Sequence, residues 1–145
     1  MNIGILKEDL IKEWRVALTP AGAQALIKDG HIVYVEKDAA SMCRFTDEDY
    51  ERVGAKIVYS NDEIIGRSDI ILKVAPLTEK EIDKIEDSKI VFAFWHLEVI
   101  GKKLFEKILT KKINTIGYEI IEDGKGNRPI LEVSSEIAGQ LAIPI

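Results

Sequence analysis

The chain has 145 residues, 46% of them hydrophobic and 31% charged, the size and balance of one domain able to bury a core of its own. A net charge of −5 with acids and bases interspersed argues against nucleic acid as a main partner, because a phosphate binder needs a basic stripe. No apolar run approaches the roughly 20 residues of a membrane span, Met1–Leu6 lacks the pattern of a secretory leader, and the lone Cys43 cannot close an internal disulfide, so a cytoplasmic setting is expected.

In chain order, Ile3–Leu6 reads as a first strand. Pro20–Lys28 reads as a helix, with Thr19 as its cap, Pro20 in its first turn and Gly30 at its end. Ile32–Glu36 is a second strand. Thr46 then caps an acidic first turn, Asp47-Glu48-Asp49, where negative charge suits the helix dipole. Gly54 stops that helix before the strand Lys56–Tyr59, and Asn61 starts a short helix that holds Ile64 and Ile65. The alternation continues through Asp69–Val74, Thr78–Ile85, Lys89–Phe94, Ile100–Leu109 and Ile113–Tyr118.

Strands and helices that alternate in this way, with near-continuous apolar strands, predict an α/β fold. The expected form is a doubly wound, mostly parallel, flavodoxin-like sheet in three layers. Such sheets bind ligands beyond the carboxyl ends of their strands. After Tyr118 the rhythm changes. Asp123–Pro129 reads as a turn cluster between two short extended pieces, and Ser134 or Ser135 as the cap of a helix beginning at Glu136.

The sequence holds neither a G-x-G-x-x-G nor a P-loop motif, and Gly124-Lys125-Gly126 reads as a plain hairpin turn. With His31, His96 and Cys43 as the only histidines and cysteine, no metal site is expected. Three other residues fall at the expected ligand edge. Arg15 lies in the loop after the first strand, where it either grips a carboxylate or pairs with Glu13 or Glu8 at the surface. His96 follows the strand ending at Phe94 and suits proton transfer, or is satisfied at the core edge by a backbone carbonyl. Lys73, near the end of an apolar strand, either snorkels to solvent or meets a ligand's negative group. Together they suit a small 2-oxo or 2-amino acid.

A set of ordered segments adds to this. Gly4-Ile5-Leu6-Lys7-Glu8 followed by Arg15–Gly22, Asp69–Val74, His96-Leu97, Tyr118-Glu119 and Ser135–Gly139 resemble the alanine dehydrogenase and pyridine nucleotide transhydrogenase family over nearly the whole chain. The resemblance implies the substrate domain of an NAD-dependent alanine dehydrogenase, with residues 1–133 holding substrate. Residues 134–145 would begin a helix leading to an absent nucleotide-binding domain, so that the fragment alone is expected to be inactive. Arg15 would hold the substrate carboxylate, His96 would exchange a proton with the carbonyl oxygen or carbinolamine, and Ser135 would lie near the nicotinamide. The full-length enzyme would be a homo-oligomer. Where the family pattern has Lys-x-Lys, with its second lysine meeting substrate, this chain reads Lys73-Val74-Ala75, so that either Lys73 substitutes from deeper in the sheet or the activity differs. A transhydrogenase-like domain and a non-catalytic small-acid binding module are the competing readings.

Overall fold

In the computed structural model, which describes residues 1–9, 13–86 and 88–142, every paired strand is parallel. The strands are β1 (Asn2–Ile5), β2 (Ile32–Glu36), β3 (Lys56–Val58), β4 (Ile70–Leu72), β5 (Ile90–Ala93) and β6 (Asn114–Gly117). Their order across the sheet is β3-β2-β1-β4-β5-β6. Five of them, β2-β1-β4-β5-β6, follow the 2-1-3-4-5 order of a flavodoxin-like sheet. The short β3 adds a strand beyond β2, which makes the whole a 3-2-1-4-5-6 order with its switch point between β1 and β4. Backbone pairing runs past the strand ends: Lys73 N donates to Phe92 O at 3.0 Å and Phe94 N to Val74 O at 2.9 Å.

Alternation along the strands divides the core in two. Ile5, Val33 and Val35 pack with Ala23 of α1 (Pro20–Lys28) and Tyr50 of α2 (Asp47–Arg52). Val58, Ile71, Val91 and Ala93 point the other way. They pack on Ile64 and Ile65 of α3 (Asn61–Arg67), Ile82 of α4 (Glu79–Lys84) and Ile108 of α5 (Lys102–Thr110). The expected three layers follow from these two faces. Side chains start the helices: Thr46 with Asp49, and Thr78 with Glu81, close capping boxes, while Thr19 and Ser60 each accept an N–H of the first turn.

One expectation fails at the C-terminal end. The last helix, α6, spans Pro129–Leu141 and so begins well before Ser134 or Ser135. The Asp123 carboxylate accepts from Lys125 N and Asn127 N at 2.8 and 2.9 Å, which closes the turn early, and Pro129 then enters the helix with its fixed φ in the first turn. Residues 130–133 are therefore helical, and the expected boundary at 133/134 falls inside α6. Of the segment 134–145, residues 143–145 lie outside the described residues. Among the described residues no helix is long and apolar enough to cross a membrane, and no group of three or more potential ligands is placed to hold a metal.

Candidate functional site

At the carboxyl ends of β1, β4 and β5 the structure opens into a cleft of two adjoining lobes of about 400 and 310 Å³. Arg15, Val74, Phe94 and Ser134 line both lobes. This is where the switch point of a doubly wound sheet places ligands. A depression of similar volume, about 410 Å³, lies beside Lys37, Arg44, Asp38 and Asp47, with acids and bases mixed and no imidazole. Chemistry therefore favours the cleft.

The loop from Lys7 to Thr19 brings Arg15 there. It is tied down where Cys43 Sγ donates to Trp14 O at 3.1 Å and Tyr50 OH to Leu18 O at 2.6 Å. Glu13 grips Arg15 in a fork, accepting from Nε at 2.9 Å and Nη2 at 2.8 Å, and also from the Arg15 backbone N–H. This pairing holds Glu13 below the usual carboxylate range and keeps Arg15 protonated beyond its own. The guanidinium carbon stands 5.5 Å over the Phe94 ring, while Arg15 stays 57% exposed along its side chain. A fork that engages Nε and Nη2 leaves the edge between Nη1 and Nη2 for a second carboxylate.

His96 also lies against Phe94, its ring stacked at 6.1 Å and 16°, with its side chain 48% exposed. Its backbone is left-handed, φ 44°, and its N–H donates to Glu119 Oε1 at 2.7 Å. Tyr118 packs edge-on to Phe94 at 5.3 Å, and burial pushes its hydroxyl well above the ordinary range. Below the cleft, the buried Glu8 accepts from Val74 N at 2.5 Å and from Ala75 N at 3.4 Å.

Burial raises the Glu8 carboxyl above its ordinary value of 4.5, against the pull of the Val74 amide and of Lys73. Below that value folded and unfolded chains are both protonated. Above it the unfolded chain ionises first, so rising pH costs the folded state stability until the raised value is passed. Glu8→Gln is expected to remove this loss while keeping an acceptor for Val74 N. Thermal unfolding should show E8Q gaining on the wild type between pH 4 and pH 7; a constant difference over that range would exclude the effect.

Of the expected site residues, the cleft unites Arg15 and His96. Lys73 is a correction. It is 3% exposed and points with Ile71 toward α4, where Nζ lies 3.0 and 2.9 Å from the two oxygens of Glu81. It lines neither lobe, whereas Val74 and Ala75 do where the chain bends after β4. Ser135 is also apart, exposed beside Asn127 and Arg128, while Ser134 borders the cleft and donates to Leu131 O at 2.9 Å. Sequence reasoning missed Phe94, Tyr118 and Glu8 as parts of the site. Strand alternation carried the signal for Phe94: Val91, Ala93 and Trp95 are buried on the α4–α5 face, which leaves Phe92, Phe94 and His96 together on the other.

Comparison with known proteins adds relatives to this geometry. The family described as alanine dehydrogenase/PNT, N-terminal domain, matches residues 4–138. An alanine dehydrogenase of Methanococcus maripaludis is 37% identical over 145 residues, which are 100% of this chain and 39% of that protein. Its counterpart in Mycobacterium tuberculosis is 32% identical over 145 residues, with the same two coverages of 100% and 39%. Among solved structures, an L-alanine dehydrogenase superposes with a TM-score of 0.90 at 32% identity, covering 97% of this chain and 38% of its own. A transhydrogenase from Sinorhizobium meliloti superposes with a TM-score of 0.77 at 25% identity, covering 83% of this chain and 36% of its own. The chain thus spans about two fifths of the length of the curated relatives it matches.

Proposed function

The chain belongs to the family of alanine dehydrogenase/PNT N-terminal domains, and we propose that it is the substrate-holding domain of an NAD-dependent dehydrogenase that interconverts L-alanine and pyruvate. One observation carries the reading: a guanidinium and an imidazole both contact a single aromatic ring, Phe94, in one cleft. Arg15 takes the substrate carboxylate on its Nη1–Nη2 edge, and Phe94, Tyr118 and Val74 exclude water around the small apolar remainder. Ammonia adds to the pyruvate carbonyl to give a carbinolamine. His96, in its acid form, donates a proton to the hydroxyl that leaves as water. In the direction of deamination it takes that proton back from the attacking water.

The hydride for the resulting iminium carbon would come from NADH, and in deamination NAD+ would take it back. The loop after β1, residues 7–19, has no glycine and so no close cradle for the dinucleotide phosphates. In this reading those are held by a nucleotide-binding domain that α6 leads to, with residues from 134 onward as the connection. Ser135, outside the cleft, meets the cofactor only from the side of Asn127 and Arg128. A cytoplasmic homo-oligomer is the setting this reading implies. The transhydrogenase alternative is weaker because transfer between two nicotinamides leaves His96 no proton to move.

The test is NADH oxidation by the natural full-length protein with pyruvate and ammonia. Arg15→Lys keeps the charge but not the fork, and should raise KM for pyruvate about 10- to 100-fold with a smaller change in kcat. Pyruvate binding without turnover would make the chain a binding module, and an unchanged KM in R15K would remove Arg15 from the substrate.

A further inference from the structure

We infer that Glu119 is a positioning residue for His96, holding the imidazole at the cleft through the backbone rather than through the ring. The inference rests on the proposed role of His96. After β5 the chain must reverse, and it does so at His96, whose carbonyl accepts from Val99 N at 2.9 Å and Ile100 N at 3.2 Å. That reversal puts a non-glycine residue at φ 44°, a left-handed conformation that needs outside support. The support comes from the next strand. Ala93 pairs with Gly117 across β5 and β6, so the turn Tyr118–Ile120 emerges beside His96, and Glu119 Oε1 receives its N–H at 2.7 Å.

Two further features mark this carboxylate as held in place. A Cβ at Gly117 would stand 2.9 Å from the Glu119 carboxylate carbon and from Oε1, and 3.0 Å from Oε2, so glycine there leaves the room the carboxylate occupies. The other oxygen, Oε2, is buried without a hydrogen-bond partner among the described residues. An unsatisfied buried carboxylate oxygen is costly, and it is tolerated here beside one short bond to the backbone of the imidazole residue. Were that bond lost, the His96 backbone would be free to relax toward extended conformations and carry the ring off Phe94.

The experiment compares Glu119→Ala, Glu119→Gln and Gly117→Ala in the natural full-length protein, with His96→Asn in parallel. Glu119→Ala should lower kcat about 10- to 100-fold, the cost of a misplaced catalytic group, while KM for pyruvate stays within about threefold because Arg15 is untouched. Glu119→Gln retains an acceptor oxygen and should recover most of that loss. Gly117→Ala, by crowding the carboxylate, should behave like E119A. Hydrogen exchange in the peptide covering residues 94–100 should quicken in E119A and G117A and not in E119Q. Where H96N is impaired, a wild-type kcat in E119A or an E119Q no better than E119A would overturn the inference, and unchanged exchange in E119A would overturn it in any case. If H96N keeps its activity while exchange still quickens in E119A, the clamp stands and the role proposed for His96 falls.

Discussion

Replacing His96 by asparagine is expected to lower kcat for pyruvate amination about 10²- to 10⁴-fold, the usual worth of a positioned general acid. Asparagine is the informative choice for a backbone reason. His96 sits at φ 44°, which asparagine tolerates better than alanine, so H96N removes the titratable ring without adding strain of its own. The side chain is 48% exposed and carries little of the core, so stability should change by less than about 0.5 kcal/mol. KM for pyruvate should move little, because Arg15 and Phe94 keep their contacts. Loss of kcat at constant KM is the signature of an interaction made only in the transition state. A kcat within threefold of wild type would remove His96 from the chemistry and leave it a cleft-edge residue.

Much of the fold was legible because its signals are local. Thr19-Pro20, Thr46 with Asp49, and Thr78 with the residue three further on each mark a helix start by a cap that the structure contains. The apolar runs around Val33, Ile71 and Val91 marked buried parallel strands. Signals that depend on partners far along the chain were not legible. The early start of α6 turns on Asp123 closing a turn onto Asn127, which outweighs the cap chemistry of Ser134 and Ser135. β3 could be seen as a strand, but not that it adds an edge beyond β2.

The same division holds in the site. Arg15 drew two readings, a carboxylate grip or a pair with Glu13, and the structure has it paired with Glu13 inside the cleft. Glu119 reaches His96 from 23 residues away, and no spacing rule announces that bond. Lys73 was misread for a nearer reason. Its position near the end of a strand does not say which face it takes, and period-two alternation sets Lys73 with Ile71 toward α4, away from Leu72.

That correction leads to the largest expected effect on stability. Lys73→Met should cost about 3–5 kcal/mol, because it leaves Glu81 as an uncompensated charge in a buried place. Side-chain exposures of 3% and 11% put both partners out of water, where the pair offsets its own desolvation. Glu81 cannot simply swing away, since Oε2 also accepts from Thr78 N at 2.7 Å and so starts α4. Lys73 also draws down the raised Glu8 carboxyl, so its removal adds to the cost near neutral pH. The double variant K73M/E81Q should recover most of the loss, because the amide oxygen keeps the cap without the charge. Urea unfolding would show this as a fall in midpoint at constant slope for K73M and a return toward wild type for the double variant. Since Lys73 lines neither lobe of the cleft, KM for pyruvate should stay within about twofold in folded K73M. A tenfold rise in KM with the unfolding midpoint unchanged would return Lys73 to the substrate and make its bond with Glu81 incidental.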